Sequence, residues 1–413
     1  MERIEGSVTT AISYAKTIDE KAREQIRRMC SYELTEGSRV RIMPDVHAGK
    51  GCTIGTTMTI KDKAVPNIVG VDIGCGMYTV ALGKQPIDFA KLDEAAHIVP
   101  SGMHVWSQKQ VDFDLHQLHC YDKLKKLSWI ECSIGTLGGG NHFIEVDETH
   151  AGTRYLIIHT GSRNLGKQVA EIYQRMAVEL NAHGETLEER IAHIITEYKK
   201  TGRQKEIQHA IQELKGEQRK EKIPEDLCYL SGKYLTQYLH DVALCQEFAR
   251  LNREQIAKAL MERAALQEGE AFHTIHNYID VDEMILRKGA IAAHKGEKVL
   301  IPINMRDGSI LAIGKGNAEW NYSAPHGAGR IMSRVQAIKE LSLKEYQSEM
   351  AGVYTTSVNK GTIDEAPMAY KSLHDILDVI GDTVEVIDVM KPIYNFSSLQ
   401  LLSRLLIAPS QCL

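Results

Sequence analysis

What this chain lacks narrows its class before any motif is read. Across 413 residues no apolar run reaches the ~18 needed to span a bilayer, which excludes an ordinary membrane helix and argues against a membrane partner. The opening Met1-Glu2-Arg3-Ile4-Glu5 has no basic stretch leading into an apolar one, so a cytoplasmic location is expected. None of the 8 cysteines pairs as Cys-x-x-Cys, and their spacing suits neither a zinc ribbon nor a disulfide framework; reduced thiols are expected. No large charge excess exists either: 49 basic and 54 acidic residues leave a net −5, which excludes a polybasic binder. Nucleic-acid recognition would need a local basic groove. Internal repeats and low-complexity linkers are also absent. Histidine, by contrast, is abundant, with 17 against 6 Phe and 3 Trp, and several histidines sit beside glycines.

Hydrophobic residues at 43% and charged residues at 25% are ordinary for a globular chain. Residues 38–160 alternate glycine with short β-type runs, such as Ser38–Met43, Asn67–Asp72 and Tyr155–His159, each ending near Asp, His or Gly. Residues 165–268 read as helix: Leu187, Ile191, Ile194, Ile195 and Tyr198 keep the 3.6 period among charges of mixed sign. The plain reading of that stretch is a solvated insertion; a grip on a long polyanion is the other. Residues 271–396 return to mixed structure, and Thr383–Val389 alternates like a strand. The expected fold class is α+β, helices about mixed sheets, as one catalytic unit over 1–413. It carries a peripheral helical insertion at about 165–268 and a divergent apolar tail at 397–413.

Chemistry concentrates in glycine-bounded segments. In Gly70-Val71-Asp72-Ile73-Gly74-Cys75-Gly76-Met77 an apparent strand enters a turn that presents a carboxylate and a thiol three residues apart, a pair suited to a borderline-soft divalent metal. A buried Cys beside a turn Asp is the alternative. Gly138-Gly139-Gly140-Asn141-His142-Phe143-Ile144-Glu145 offers backbone N–H groups to an anion, followed directly by Asn, His and Glu. His159-Thr160-Gly161-Ser162-Arg163 closes an apolar run with a ligand-type residue and a fixed cation, and His276-Asn277 supplies another His-Asn pair. Ala324-Pro325-His326-Gly327-Ala328-Gly329-Arg330 places an imidazole at a glycine turn before an apparent helix start, as a nucleophile or acid–base facing phosphate would require. Pro44-Asp45-Val46-His47-Ala48-Gly49-Lys50-Gly51 lacks the Ser or Thr of a phosphate-binding GxxxxGK[ST] loop, and Gly74-x-Gly76 is no dinucleotide fingerprint. One Asp, one Cys and three histidines (Asp72, Cys75, His142, His159, His276) are too many for one tetrahedral zinc and suit two ions sharing the thiolate, with His326 left over. A hydrolase or a phosphoryl or nucleotidyl transferase follows.

The segments PDVHAGKG, GVDIGCGM, GTLGGGNHFIE, HTGSR, IHN, RKGA and HGAGRIMSR, in this order, resemble the RtcB family of RNA-splicing ligases from about residue 38 to 396. The resemblance implies an RtcB-like fold around a central pocket, with Asp72, Cys75, His142, His159 and His276 holding two Mn²⁺ ions. It implies GTP as the second cofactor and His326 as the nucleophile that takes GMP, with Asp45 and Arg163 as further catalytic residues. The guanylate would meet Asn141, His142, Phe143, Ile144, Glu145, His276, Asn277, Lys288, Pro302, Ile303, Asn304, Met305, Ser309 and the turn His326, Gly327, Ala328, Gly329, with Glu145 reading the guanine edge. The implied partners are RNA ends, a 3′-phosphate or 2′,3′-cyclic phosphate and a 5′-hydroxyl, with an archease-type activator. Three departures stand out: Ile303 where the family has glycine, Asn164 for another glycine, and Ser397 where the family ends in a lysine; either another cation, with Lys288 the candidate, replaces that lysine or nucleotide activation is weakened. The alternative is a dinuclear metal phosphodiesterase or phosphatase on the same scaffold without guanylylation; a third reading is an RNA-end binder without turnover.

Overall fold

A computed structural model describes residues 1–216 and 223–397; the expected apolar tail, beyond Ser397, lies outside the described residues. Two sheets organise the chain. A six-stranded sheet runs in the order Glu2–Glu5, Thr10–Ser13, Val40–His47, Ile54–Thr59, Ile285–Lys288, Asn277–Asp280. A seven-stranded antiparallel sheet runs in the order Ala271–Ile275, Gly76–Gly83, Arg154–Thr160, Phe143–Glu148, Val384–Ser397, Gly308–Gly314, Lys298–Asn304. Two antiparallel pairs of strands distant in sequence, Ala290–Ala292 with Ser323–Pro325 and Lys63–Ala64 with Leu230–Ser231, complete the strands of the described residues. The expected α+β class and RtcB-like fold agree with this layout.

Val40–His47, Gly76–Gly83 and Arg154–Thr160 are buried along most of their length, so they read as largely apolar runs, whereas Phe143–Glu148 alternates. Val40–His47 is buried along nearly its whole length, and Pro44, which has no N–H to donate, lies within a break in its ladder between Ile42 and His47. Asp45 sits in that break. Gly76 pairs with Thr160 on one side and Ile275 on the other; a Cβ there would lie 2.5 Å from the Thr274 carbonyl oxygen, so only glycine lets the strands close. His276 is the lone residue between Ala271–Ile275 of one sheet and Asn277–Asp280 of the other.

Two sequence expectations differ from the structure. Asn67–Asp72 is not a strand: Pro66 occupies the first turn of a short helix, Pro66–Val69, which ends at Gly70 with φ 104°. Asp72 therefore arrives on a loop. The region 165–268 is only partly peripheral. Leu187–Lys200 has no buried residue, and Ile207–Gly216 buries only Ala210. Arg163–His183 and the 33-residue Gly232–Ala264 helix, however, are built into the main core. The long helix buries Asp241, Asn252 and Arg253 besides its apolar residues, which blurs any one-sided pattern. The strand expected at Thr383–Val389 continues to Ser397 and fills the centre of the seven-stranded sheet. No helix of the described residues is long and apolar enough to cross a membrane.

Candidate functional site

Strand ends and the loops just before them bring the ligand-type side chains to one place. Cys75 precedes Gly76–Gly83, His142 precedes Phe143–Glu148, His159 lies near the end of Arg154–Thr160, and His276 follows Ala271–Ile275. These strands are neighbours in register, with Phe143 and Met77 flanking His159. The result is two overlapping triads, Asp72–Cys75–His142 and Cys75–His159–His276, with the ligand atoms of each within 4.8 Å of one another. Cys75 Sγ stands 3.6 Å from His142 Nε2 and 3.4 Å from His159 Nε2. His159 and His276 face each other through Nε2 atoms at 3.4 Å, and His142 Nε2 is 3.1 Å from Asp72 Oδ2.

The far side of each ring explains why Nε2 points inward. His142 Nδ1 meets the Leu137 carbonyl at 2.8 Å, and His159 Nδ1 meets the Asn141 carbonyl at 2.9 Å. Donation of Nδ1–H to a carbonyl leaves the Nε2 lone pair for an ion. His276 Nδ1 is buried without a partner. Burial, then the neighbouring imidazoles, hold His159 and His276 well below the ordinary histidine range, so both rings are neutral and could ligate an ion. Burial, then Asp72, pushes the Cys75 thiol well up; a bound dication reverses that preference and takes the thiolate. One shared sulfur, three imidazoles and a carboxylate thus fit a pair of borderline divalent ions. Asp72 itself is set by the Ser162 N–H at 3.1 Å and by Gly161, where a Cβ would lie 2.2 Å from its carboxylate.

Beside the triads opens a cavity of about 330 Å³. His326 lines it directly after Ser323–Pro325. Its Nδ1 is 2.5 Å from Asp45 Oδ2, which also accepts from the His326 backbone N–H at 3.2 Å. The two contacts fix the ring and leave Nε2 free toward the cavity, with the ring centroid 4.9 Å from that of His276. Gly329, at φ 75°, lets the following turn close over Asp45; a Cβ there would meet the Asp45 carbonyl oxygen at 2.4 Å. The helix expected straight after His326 begins only at Arg334, capped by Ser333. His326 therefore owes its setting to Asp45 rather than to a helix terminus.

Of the other expected site residues, Asn141, Phe143, Glu145, Asn277, Pro302, Ile303, Asn304, Met305 and Gly327 to Gly329 line this cavity. Glu145 is buried and accepts from Asn395 Nδ2 at 2.6 Å; burial, then Asp147, drives its carboxyl well up. Four expectations fare differently. Ile144 points into the apolar core, as strand alternation beside Phe143 and Glu145 requires. Ser309 is fully buried behind the wall, with its hydroxyl unpartnered. Lys288, the expected stand-in for a terminal lysine, donates its ammonium to the carbonyls of Lys50 and of Asn67 (3.2 Å) and is not among the residues that line the cavity. Arg163 is also turned aside, to Thr136 Oγ1 at 2.9 Å and the Gly102 carbonyl at 2.7 Å.

Sequence reading missed Asn252, Arg253 and Asn395. Asn252 Oδ1 accepts from the N–H groups of Gly135 (2.7 Å) and Thr136 (2.9 Å), while its Nδ2 donates to the Gly161 carbonyl at 3.0 Å. Arg253 Nη1 donates to the carbonyls of Gly74 (2.7 Å) and Thr160 (3.0 Å). Together they tie the loops bearing Asp72, Cys75, His142 and Ser162 to one helix. Mid-helix polar residues carry no local signal of such a role.

A family model described as tRNA-splicing ligase RtcB matches residues 25–125 and 119–398. The chain is similar to the RNA-splicing ligase RtcB of Escherichia coli (strain K12), 30% identical over 400 residues that cover 86% of this chain and 88% of the relative. It is also similar to the tRNA-splicing ligase RtcB of Aeropyrum pernix, 27% identical over 442 residues covering 82% and 83%. The RNA-splicing ligase RtcB2 of Escherichia coli (strain ATCC 25922) is 26% identical over 380 residues, covering 83% of each chain. The matched span contains every strand that delivers a side chain to the two triads and to His326, and the chain belongs to the RtcB family.

Proposed function

We propose that this protein is a GTP-dependent RNA ligase that joins a 3′-phosphate or 2′,3′-cyclic phosphate end to a 5′-hydroxyl end through a histidine–GMP intermediate. The observation that carries the reading is His326, held by Asp45 at 2.5 Å with Nε2 free, beside two ligand triads that share one sulfur. A metal-dependent hydrolase working through metal-bound water does not require such an imidazole.

Asp72, Cys75 and His142 would hold one Mn²⁺, and Cys75, His159 and His276 a second. When bound, the ions supply positive charge against phosphate oxygens, and the thiolate–imidazole set favours Mn²⁺ over Mg²⁺. The residues do the rest. Asp45 accepts the Nδ1 proton of His326, so the Nε2 lone pair is available to attack the α-phosphorus of GTP. A P–N bond forms, the bond to pyrophosphate breaks, and the imidazole carries GMP. An RNA 3′-phosphate oxygen then displaces the imidazole and takes GMP. The 5′-hydroxyl attacks that activated phosphate, expels GMP and leaves a phosphodiester; a cyclic phosphate first opens by hydrolysis. Glu145, steadied by Asn395, faces the guanine edge, and Phe143 and the Pro302–Met305 segment enclose the nucleotide.

Incubation with α-labelled GTP and Mn²⁺ tests this. Label stable on the protein and lost in His326→Ala is expected. Absence of label at every Mn²⁺ concentration, with phosphate released from labelled RNA ends, would replace the ligase by a hydrolase.

A further inference from the structure

A second concavity, about 240 Å³, opens near the Gly102–Gly138 backbone contact and is lined by Lys125, Lys126, Trp129, Gln168 and Arg175 among others. In a chain of net charge −5 this lining is locally basic. Lys123 pairs with Glu188 at 2.7 Å, whereas Lys125, Lys126 and Arg175 have no ion pair among the described residues. All three cations are exposed and Trp129 is half-buried.

The groove is built rather than incidental. Trp129 Nε1 donates to the Met103 carbonyl at 3.2 Å, which fixes the plane of the indole. Gln168 holds the lysine-bearing loop from both sides, accepting from the Lys125 N–H at 2.7 Å and donating to its carbonyl at 2.9 Å. One backbone contact relates the groove to the reaction site: the Gly102 N–H donates to the Gly138 carbonyl at 2.6 Å, three residues before the cavity-lining Asn141. Arg163 lies beside the groove, with Nη2 on the Gly102 carbonyl at 2.7 Å and its guanidinium 5.9 Å from the Trp129 ring.

Three unpaired cations beside a fixed indole match a phosphate-carrying strand with flat bases. Cations hold the backbone without regard to sequence, and an aromatic face accepts any base. We propose that this groove binds the single-stranded RNA whose end reacts in the cavity, its phosphates on Lys125, Lys126 and Arg175 and a base against Trp129. The assignment rests on the RNA-ligase reading and adds where the strand lies. An acidic protein surface would satisfy the cations but has no need of the indole.

The test is fluorescence anisotropy on the full chain, with a 5′-fluorescein RNA 12-mer ending in 3′-phosphate and a 3′-fluorescein 12-mer beginning with 5′-hydroxyl. Lys125→Gln/Lys126→Gln/Arg175→Gln should bind at least one strand roughly tenfold or more weakly at 0.1 M salt, with a log–log salt slope shallower by about 2, from three contacts at about 0.7 each. Trp129→Ala should lose roughly tenfold. Lys199→Ala/Lys200→Ala/Lys258→Ala removes the same charge elsewhere and should bind as the wild type does; unchanged melting curves verify the fold. Binding retained in full by the triple variant, or by Trp129→Ala while the charge variants weaken, overturns the groove assignment and leaves the ligase reading intact. Failure of the wild type to bind either strand counts against the RNA reading itself, and the groove falls with it.

Discussion

Cys75, His159 and His276 stand on one wall of the cavity, and Glu145, Asn395 and Ser397 on another, although both walls grow from neighbouring strands of one sheet. On the first wall the polar atoms that face inward face one another: sulfur, ring nitrogens and a carboxylate oxygen within 4.8 Å in each triad. The neutral imidazoles of His159 and His276 and the protonated Cys75 thiol tolerate that crowding, and a bound cation would satisfy it. On the second wall the polar atoms settle among themselves. Glu145 takes the Asn395 amide, and Ser397 Oγ donates to Asn395 Oδ1 at 3.2 Å. The difference separates a site waiting for charge from a site that only has to present an edge. One wall should fail outright when a member is removed, and the other should adjust by degrees.

The sharpest way to break this comparison is Cys75→Ala. Because both triads share that sulfur, manganese content by elemental analysis should fall toward zero and GTP labelling should disappear, with circular dichroism nearly unchanged. Manganese retained at the wild-type ratio would dissolve the shared-ligand wall. Next in size is Asp45→Asn, which leaves every ligand atom in place and takes away the carboxylate charge that holds the Nδ1 proton of His326. Labelling should slow by roughly 10²–10⁴-fold with manganese content unaltered; a rate near wild type would remove Asp45 from the reaction.

The second wall responds to pH. Burial raises both Glu145 and Asp147, Asp147 to about 7. Between the ordinary carboxylate range and about 7 the folded chain then binds more protons than the unfolded one, so these groups make stability fall as pH rises through that window. Asp147→Asn should flatten the decline in denaturant midpoint between pH 5 and pH 8, measured with Mn²⁺ absent; an unaltered slope would place the titration elsewhere. The smallest effect expected is Ser397→Lys, which adds a cation to the edge-reading wall. GMP should bind severalfold more tightly by calorimetry if that wall tolerates charge, and an unchanged dissociation constant would mean the neutral Asn395–Ser397 pair already completes it.

Much of the first wall was legible in the sequence because ligand residues there abut glycines at strand ends, and the reason is steric: Gly76 and Gly161 are small so that strands and a carboxylate can approach. Asn67–Asp72 misled because Ile68, Val69 and Val71 look like a strand, while Pro66 and Gly70 start and stop a helical turn. The long Gly232–Ala264 helix hid its part for a different reason. Asp241 accepts from the N–H groups of His119 and Cys120 and from the Tyr173 hydroxyl, so its polar positions are interior ones. A residue that anchors distant loops leaves no mark on its own neighbours in sequence. Ser309 and Lys288 were misplaced because a motif fixes a residue's position along a strand, whereas the direction of its side chain depends on what lies behind that strand.

His276 is the one residue that separates Ala271–Ile275 of the seven-stranded sheet from Asn277–Asp280 of the six-stranded sheet, and that gives the candidate metal site a mechanical meaning. A cation held by His276 together with Cys75 and His159 would act as a rivet through the seam, adding to the bonds that already cross it, from the His276 N–H to the Cys75 carbonyl at 2.9 Å and from the Gly74 N–H to the Asn277 carbonyl at 2.7 Å. Chelation should therefore loosen the seam as well as silence the chemistry, with amide hydrogen exchange quickening along Ala271–Asp280 before it does so in the sheet interiors.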